Sequence, residues 1–287
     1  MPSPSQAVAL TERLLAIYHR LLAAYGPQGW WPGADDPFVV AVGAILTQNV
    51  SWSNVEKALS NLRAAGVLSP QGILALDEAA LGQLIRPAGY FLVKARRLQA
   101  LCRMLAGDFG GDLSRLFALP LLELRARLLA TYGIGEETAD DIILYAAHRP
   151  VFVVDAYTVR LFTRLGITPA SPGGRVPRYQ DWQGLFMAHL PADVALLSEY
   201  HALIVRHSVI RCLKRRPACG GCPLYDLCPA GLAAAPGTAS ADGRALPQHV
   251  APPQQPAHDV RTQAGSAVAR HRAVARSSGW HGRNGPR

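Results

Sequence analysis

The stretch TYGIGEETADDIILYAAHRPVFVVD, residues 131–155, decides how the chain folds. Gly133-Ile134-Gly135 lies between two segments with helical apolar spacing. The first runs from Leu119-Pro120 to about Ala130, the second from about Glu136 to Ala146. Two glycines in so short a join allow the backbone of a close hairpin of helices. The N–H groups that open the second helix can then hold a phosphate oxygen. Twenty residues after Gly135 comes Asp155, directly behind the apolar run Val151-Phe152-Val153-Val154. By residue type and place it is a helix N-cap.

Helical periodicity continues outward on both sides. Leu10, Leu14, Ile17, Leu21 and Leu22 recur at helical spacing. Asp36-Pro37 caps and opens a helix over Phe38-Val39-Val40-Ala41-Val42. Ser51 and Asp77 are further caps, and Leu92, Ala95, Leu98, Leu101 and Leu105 line one helix face. Cys102 on that face reads as a buried structural thiol. Later helices are expected from Asp155, from Tyr179, and from Ala192 to about Val209. No alternating strand pattern stands out, so the fold class is all-α. After Pro229 the composition shifts to Ala, Gly, Pro, Ser, Gln, His and Arg, and a disordered tail is expected.

With 287 residues, 49% of them hydrophobic, the chain can bury a real core. No apolar run is long enough to span a membrane. Met1 to Thr11 does not read as a signal peptide. A cytoplasmic, nucleoid-associated protein with reduced cysteines is therefore expected. The net charge of +9 suggests a nucleic-acid partner. Its distribution weakens that argument for the body. From Gly231 onward there are seven Arg and two Asp, which leaves 22 basic and 18 acidic groups in the first 230 residues. Lysine occurs only at Lys57, Lys94 and Lys214.

Cys212, Cys219, Cys222 and Cys228 fall within 17 residues, spaced C-x6-C-x2-C-x5-C. Four soft thiolates so close together call for a metal. Zinc usually takes its cysteines as two separated pairs. A cubane iron–sulfur cluster suits one compact run better, though spacing alone leaves zinc open.

Together, the cysteine spacing, Gly133-Ile134-Gly135 and Val153-Val154-Asp155 resemble the endonuclease III family of the helix-hairpin-helix (HhH-GPD) DNA glycosylase superfamily, over residues 8–230. The resemblance implies a [4Fe-4S] cluster on the four cysteines. It also implies that the loop carrying Lys214, Arg215 and Arg216 meets the DNA backbone, as does the Gly133–Gly135 turn. Asp155 becomes the catalytic carboxylate, stabilising positive charge at the sugar of a nucleotide flipped from duplex DNA. Gln48, in Thr47-Gln48-Asn49, matches the wedge that fills the vacated space.

Two departures bear on the reaction. Where bifunctional members carry a lysine for Schiff-base chemistry, this chain has Glu137, and a carboxylate cannot form an imine. No strong AP lyase activity is expected. In addition, Trp30-Trp31-Pro32, then Leu46-Thr47-Gln48-Asn49, then Trp52 resemble the 3-methyladenine glycosylase branch. Trp30, Trp31 and Trp52 would form its base pocket, and indole faces suit a cationic base. Glu136, Glu137, Asp140 and Asp141 make an acidic helix start. That favours the helix dipole but should weaken DNA binding nearby.

The expected organisation is an N-terminal helix in residues 1–34 packing on the cluster domain, a helix-hairpin-helix domain in 35–149, the cluster domain in 150–230, and a disordered tail in 231–287. DNA would lie in the cleft between the two helical domains. The expected function is a monofunctional, monomeric glycosylase that releases an alkylated, 3-methyladenine-like base from damaged double-stranded DNA. The alternatives are a bifunctional glycosylase/AP lyase acting on oxidised pyrimidines, a non-catalytic DNA-damage binding protein, and an electron-transfer protein.

Overall fold

A computed structural model describes residues 4–31 and 35–234. Among these residues the structure is helical and contains no strand. The helices are α1 (Pro4–Tyr25), α2 (Pro37–Leu46), α3 (Trp52–Ala64), α4 (Pro70–Leu74), α5 (Glu78–Leu84), α6 (Phe91–Phe109) and α7 (Leu113–Phe117). They continue with α8 (Leu121–Leu129), α9 (Glu136–Asp141), α10 (Ala156–Arg164), α11 (Tyr179–His189), α12 (Val194–Ile210) and α13 (Pro229–Ala233). The described residues belong to one compact unit.

Helix α2 lies at the centre. Every residue from Phe38 to Leu46 is buried, so the helix has no polar face to turn outward. Asp36 caps it by accepting from Phe38 N and Val39 N, as expected. At its other end the buried Lys94 ammonium donates to Leu46 O at 2.8 Å and Ala88 O at 2.7 Å. A cation there complements the negative end of the helix. Burial first, and Arg97 second, pull the Lys94 pKa down to about 8. Asp77 and Asp155 also cap their helices through their side chains. Ser51 precedes α3 but makes no capping bond; its hydroxyl lies against Ser53 instead. Cys102 is fully buried, and burial pushes its thiol up to about 12.

The segment after the glycine turn is one helix with a change of pitch. Helix α9 passes at Ile142 into a π-turn that ends at Ala146. All residues from Thr138 to Ala146 are buried. This turn packs against both α2 and α12, so the two halves of the chain share a core there. Val151–Val154 is buried but forms no strand. Helix α1 packs on α11 and α12. It is clipped to the cysteine segment by Arg20, which pairs with Asp226, and by Arg13, which donates to Leu227 O. At the other end, residues 231–233 still belong to α13, so helix extends slightly past the expected boundary. The expected tail from 235, and Pro32 of the Trp-Trp-Pro motif, lie outside the described residues.

Candidate active site and cysteine segment

The turn between α8 and α9 is held from three sides. Gly133 has φ +81°, a conformation that L side chains rarely adopt. A Cβ on Gly133 would come 2.2 Å from Arg97 Cγ, so the residue is required both for its backbone and for its lack of a side chain. Arg97 also bonds Gln48 Oε1. The Gln48 amide in turn donates to Gly133 O at 3.2 Å and Thr138 Oγ1 at 2.9 Å. Gln48 is therefore tied to the glycine turn rather than loose at the end of α2. Across the hairpin, Arg125 of α8 grips Asp140 of α9 with two bonds of 2.8 and 3.0 Å and lies 3.6 Å from Glu136.

Asp155 stands at the N-terminus of α10, where its two oxygens differ. Oδ1 accepts from Thr158 N at 2.6 Å and Thr158 Oγ1 at 2.7 Å. Oδ2 faces His201 Nε2 of α12 at 3.7 Å. That distance suits an ion pair but exceeds a hydrogen bond. The Asp155 side chain keeps 11% of its surface open, so the carboxylate is deep but not sealed. Burial alone would raise its pKa. His201 and the Thr158 bonds outweigh burial and hold the carboxyl below its usual value.

Two more carboxyls face the same point. Glu137, two residues after Gly135, is open to solvent on its outer side. Desolvation on its inner side, and then repulsion from Asp155, raise its pKa. Asp141 is buried, and burial, with repulsion from Glu137, Asp155 and Asp140, raises its pKa well above the ordinary value against the pull of His201. The acidic start of α9 thus divides into two pairs. Glu136 and Asp140 face Arg125, while Glu137 and Asp141 face His201 and Asp155.

An aromatic chain leads into these carboxyls. Trp30 lies 5.6 Å from Trp31 and 5.4 Å from Trp52, and Trp31 lies 5.1 Å from Trp52, centroid to centroid. Trp31 is 5.2 Å from Tyr145, whose hydroxyl is 2.7 Å from His201 Nδ1. The three sequence-selected tryptophans therefore come together, with Trp31 buried and Trp30 and Trp52 half-buried. Trp52 is fixed by its bond from Nε1 to Glu56 Oε1 at 2.9 Å. Sequence reasoning selects neither Tyr145, His201 nor Arg97, and takes Asp141 only as part of an acidic helix start. One signal was available: His201 directly precedes the apolar run Ala202-Leu203-Ile204 on a helix, an odd place for an ionisable ring.

Cys212, Cys219, Cys222 and Cys228 line a single cavity of about 50 Å³, walled by Leu161, Leu165 and Leu224. No pair of them is disulfide-bonded. Backbone N–H groups of Leu224 and Gly231 point at the sulfurs of Cys222 and Cys228, at 3.4 Å each, and Arg164 Nη1 lies 3.1 Å from Cys212 Sγ. Such donors suit sulfurs carrying negative charge. Burial, and then the other cysteines, raise the Cys219 and Cys222 thiols, so four thiolates here need a cation between them. The donor set fits a thiolate-bound metal cluster. Arg164 of α10 also bonds the carbonyls of Cys212, Leu213 and Lys214, which shapes the loop. Lys214, Arg215 and Arg216 on it are exposed.

Comparison with known proteins agrees with this arrangement. Residues 42–178 match the HhH-GPD superfamily of base excision DNA repair proteins, and residues 212–228 match the iron-sulfur binding domain of endonuclease III. A protein of Methanocaldococcus jannaschii that carries the name of a DNA repair glycosylase is 42% identical over 76% of this chain and 96% of its own length. Endonuclease III of Treponema pallidum is 30% identical over 74% of this chain and 93% of its own. Among solved structures, the 3-methyladenine DNA glycosylase of H. pylori, bound to 1,N6-ethenoadenine, is 27% identical, with a TM-score of 0.57 over 71% of this chain and 97% of that one. A non-covalent endonuclease III–DNA complex superposes with a TM-score of 0.64 at 22% identity, over 77% of this chain and 96% of that one, which is a likeness of fold.

Proposed function

This chain belongs to the HhH-GPD superfamily of base excision DNA glycosylases, with the [4Fe-4S] cluster of the endonuclease III type, and from that premise we propose that it is a monofunctional glycosylase releasing alkylated, positively charged purines. One observation carries the reading. The tryptophan cluster runs without a break through Tyr145 and His201 to Asp155. Two side chains thus link the tryptophans that would stack a base to the carboxyl that would act on its sugar.

Charge supports the choice of lesion. Glu137, Asp141 and Asp155 gather around one histidine, so acids outnumber the one base at the deep end of the site. A cationic base gains from indole faces by up to about 2 kcal/mol when desolvated. It is also a good leaving group and needs little acid catalysis. The relation to the H. pylori 3-methyladenine glycosylase points the same way.

In this reading the Gly133–Gly135 turn and Lys214, Arg215 and Arg216 hold duplex phosphates, and Gln48 stands where the flipped nucleotide leaves the stack. Asp155 stabilises the charge that develops at C1′ and the ring oxygen, and orients water towards it. Glu137 replaces the amine that a lyase would use, and Lys94 is turned away onto two carbonyls. When bound, the cluster cross-links the segment from Cys212 to Cys228 and so fixes the basic loop. The two-lobe division at residues 35–149 and 150–230, with DNA in the groove, completes the proposal, as does action as a monomer.

The test is base release from duplex DNA carrying defined alkylated and oxidised bases. The expected result is release of alkylated purines, no borohydride-trapped covalent complex, and loss of release in Asp155→Asn with DNA binding kept. Asn caps a helix as well as Asp does, so that variant should fold. Efficient trapping, or release confined to oxidised pyrimidines, would overturn the reading.

A further inference from the structure

We propose that His201 is a positioning residue for Asp155, pairing with its second carboxylate oxygen and linking it through Tyr145 to the tryptophan pocket. The proposal rests on the role given to Asp155 above. It starts from the unequal oxygens of that residue. Oδ1 is committed to Thr158, while Oδ2 has His201 Nε2 at 3.7 Å. His201 is buried, and its Nε2 has no hydrogen-bond partner. Its other ring nitrogen is 2.7 Å from the Tyr145 hydroxyl.

Proton placement selects the charge. Tyr145 has one proton, and Ser198 O lies 3.3 Å from its oxygen. With the O–H donated to Ser198 O, the phenol oxygen accepts from Nδ1–H of His201. Nε2 then faces the carboxylate either as a lone pair, which repels it, or as N–H, which completes an imidazolium. An N–H is the stable arrangement beside an ionised Asp155; if Tyr145 donates instead to Nδ1, at the shorter 2.7 Å, a neutral ring offers the same N–H, and the titration of the ring separates the two. The groups facing the ring are Asp155 at the start of α10, Glu137 and Asp141 of α9, and Tyr145 of the π-turn. Burial disfavours the charged ring, but these carboxyls outweigh it and carry its pKa upward.

The consequence is a defined pH range for the reaction. Below it, Asp155 takes a proton. Above it, His201 loses one and the carboxylate loses the cation that holds Oδ2. The Tyr145 ring touches Trp31, so a base seated on the indoles would meet the same network that orients the carboxylate.

Two measurements on the full, cluster-loaded chain decide the matter. The first is NMR titration of the His201 ring, which needs no substrate. It should titrate above the ordinary 6.5, and Asp155→Asn should lower it. The second is the single-turnover rate of base release from methylated duplex against pH, in wild type and His201→Gln. The variant should be slower by about tenfold or more, with its acid limb moved to higher pH and its alkaline limb lost. Its affinity for duplex should be unchanged. If His201→Gln fails to load its cluster or to melt cooperatively, Tyr145→Phe replaces it and should lower the His201 titration midpoint. A ring that titrates at or below its ordinary value and ignores Asp155→Asn would overturn the proposal. So would a wild-type pH profile in His201→Gln. A wild type that releases no base fails the proposed function instead, and the ring titration still decides His201.

Discussion

Glu137 shows how far a single side chain was legible. Its place two residues past Gly135 is where the resemblance puts the lysine of a lyase. Its partners were not legible, because Asp155 and His201 come from α10 and α12. The coupling has a definite sign. An acid with a raised folded-state pKa binds its proton more tightly in the folded than in the unfolded chain. Folding is then favoured as pH falls, and penalised as pH rises through the ordinary value of 4.5. Glu137→Gln removes that penalty. The variant should melt higher than wild type at neutral pH, and the two should converge in acid. It also removes a like charge beside Asp155, so the acid limb of base release should move to lower pH. Thermal melts at acid and neutral pH, with release rates across the acid limb, check both. A variant less stable than wild type at neutral pH would show that Glu137 is held by attraction rather than repulsion.

At the scale of elements, the apolar periodicity reported the helices well, because burial of one face is a local pattern. Helix α2 and the caps Asp36, Asp77 and Asp155 sit where their residue types place them. What periodicity cannot report is which elements meet. The acidic start of α9 read as a dipole effect with an unexplained cost for DNA binding. The structure resolves much of that cost, since Arg125, 15 positions away from Asp140, neutralises it across the hairpin. Asp140 is completely buried, and Gln183 of α11 also bonds it at 2.8 Å. The change to a π-turn at Ile142 carried no signature in the sequence either. Removing one partner of a buried pair leaves the other charge stranded, at a cost of about 3–5 kcal/mol. Arg125→Ala should therefore destabilise the protein by about that amount, measured by denaturant unfolding. It should also weaken binding to undamaged duplex, because α8 and α9 no longer hold the glycine turn between them. A loss well below about 1 kcal/mol would mean that water or Gln183 replaces the guanidinium.

For the whole molecule, the question is where DNA affinity comes from. The first 230 residues hold 22 basic and 18 acidic groups, and thiolates bound to a cluster add further negative charge. The paired acids of α9 show that much of the charge is spent internally. In the proposed reading, the backbone N–H groups after Gly133, and Lys214, Arg215 and Arg216 on a loop fixed by Arg164, meet phosphates. The proposed reading adds to these, as sequence-independent affinity, the seven Arg that follow Gly231. Each phosphate contact contributes about −0.9 to the slope of log affinity against log salt. Deletion of residues 235–287 should weaken binding to undamaged duplex and flatten that slope by about one unit for each arginine engaged. The melting temperature should stay the same, as should the single-turnover rate of base release at saturating protein, because no residue of the candidate site lies in the deleted segment. Salt titrations of duplex binding on both chain lengths, with release rates alongside, separate the outcomes. An unchanged slope would place all the phosphate contacts within the helical body, and a slower chemical step would bring the segment into the site itself.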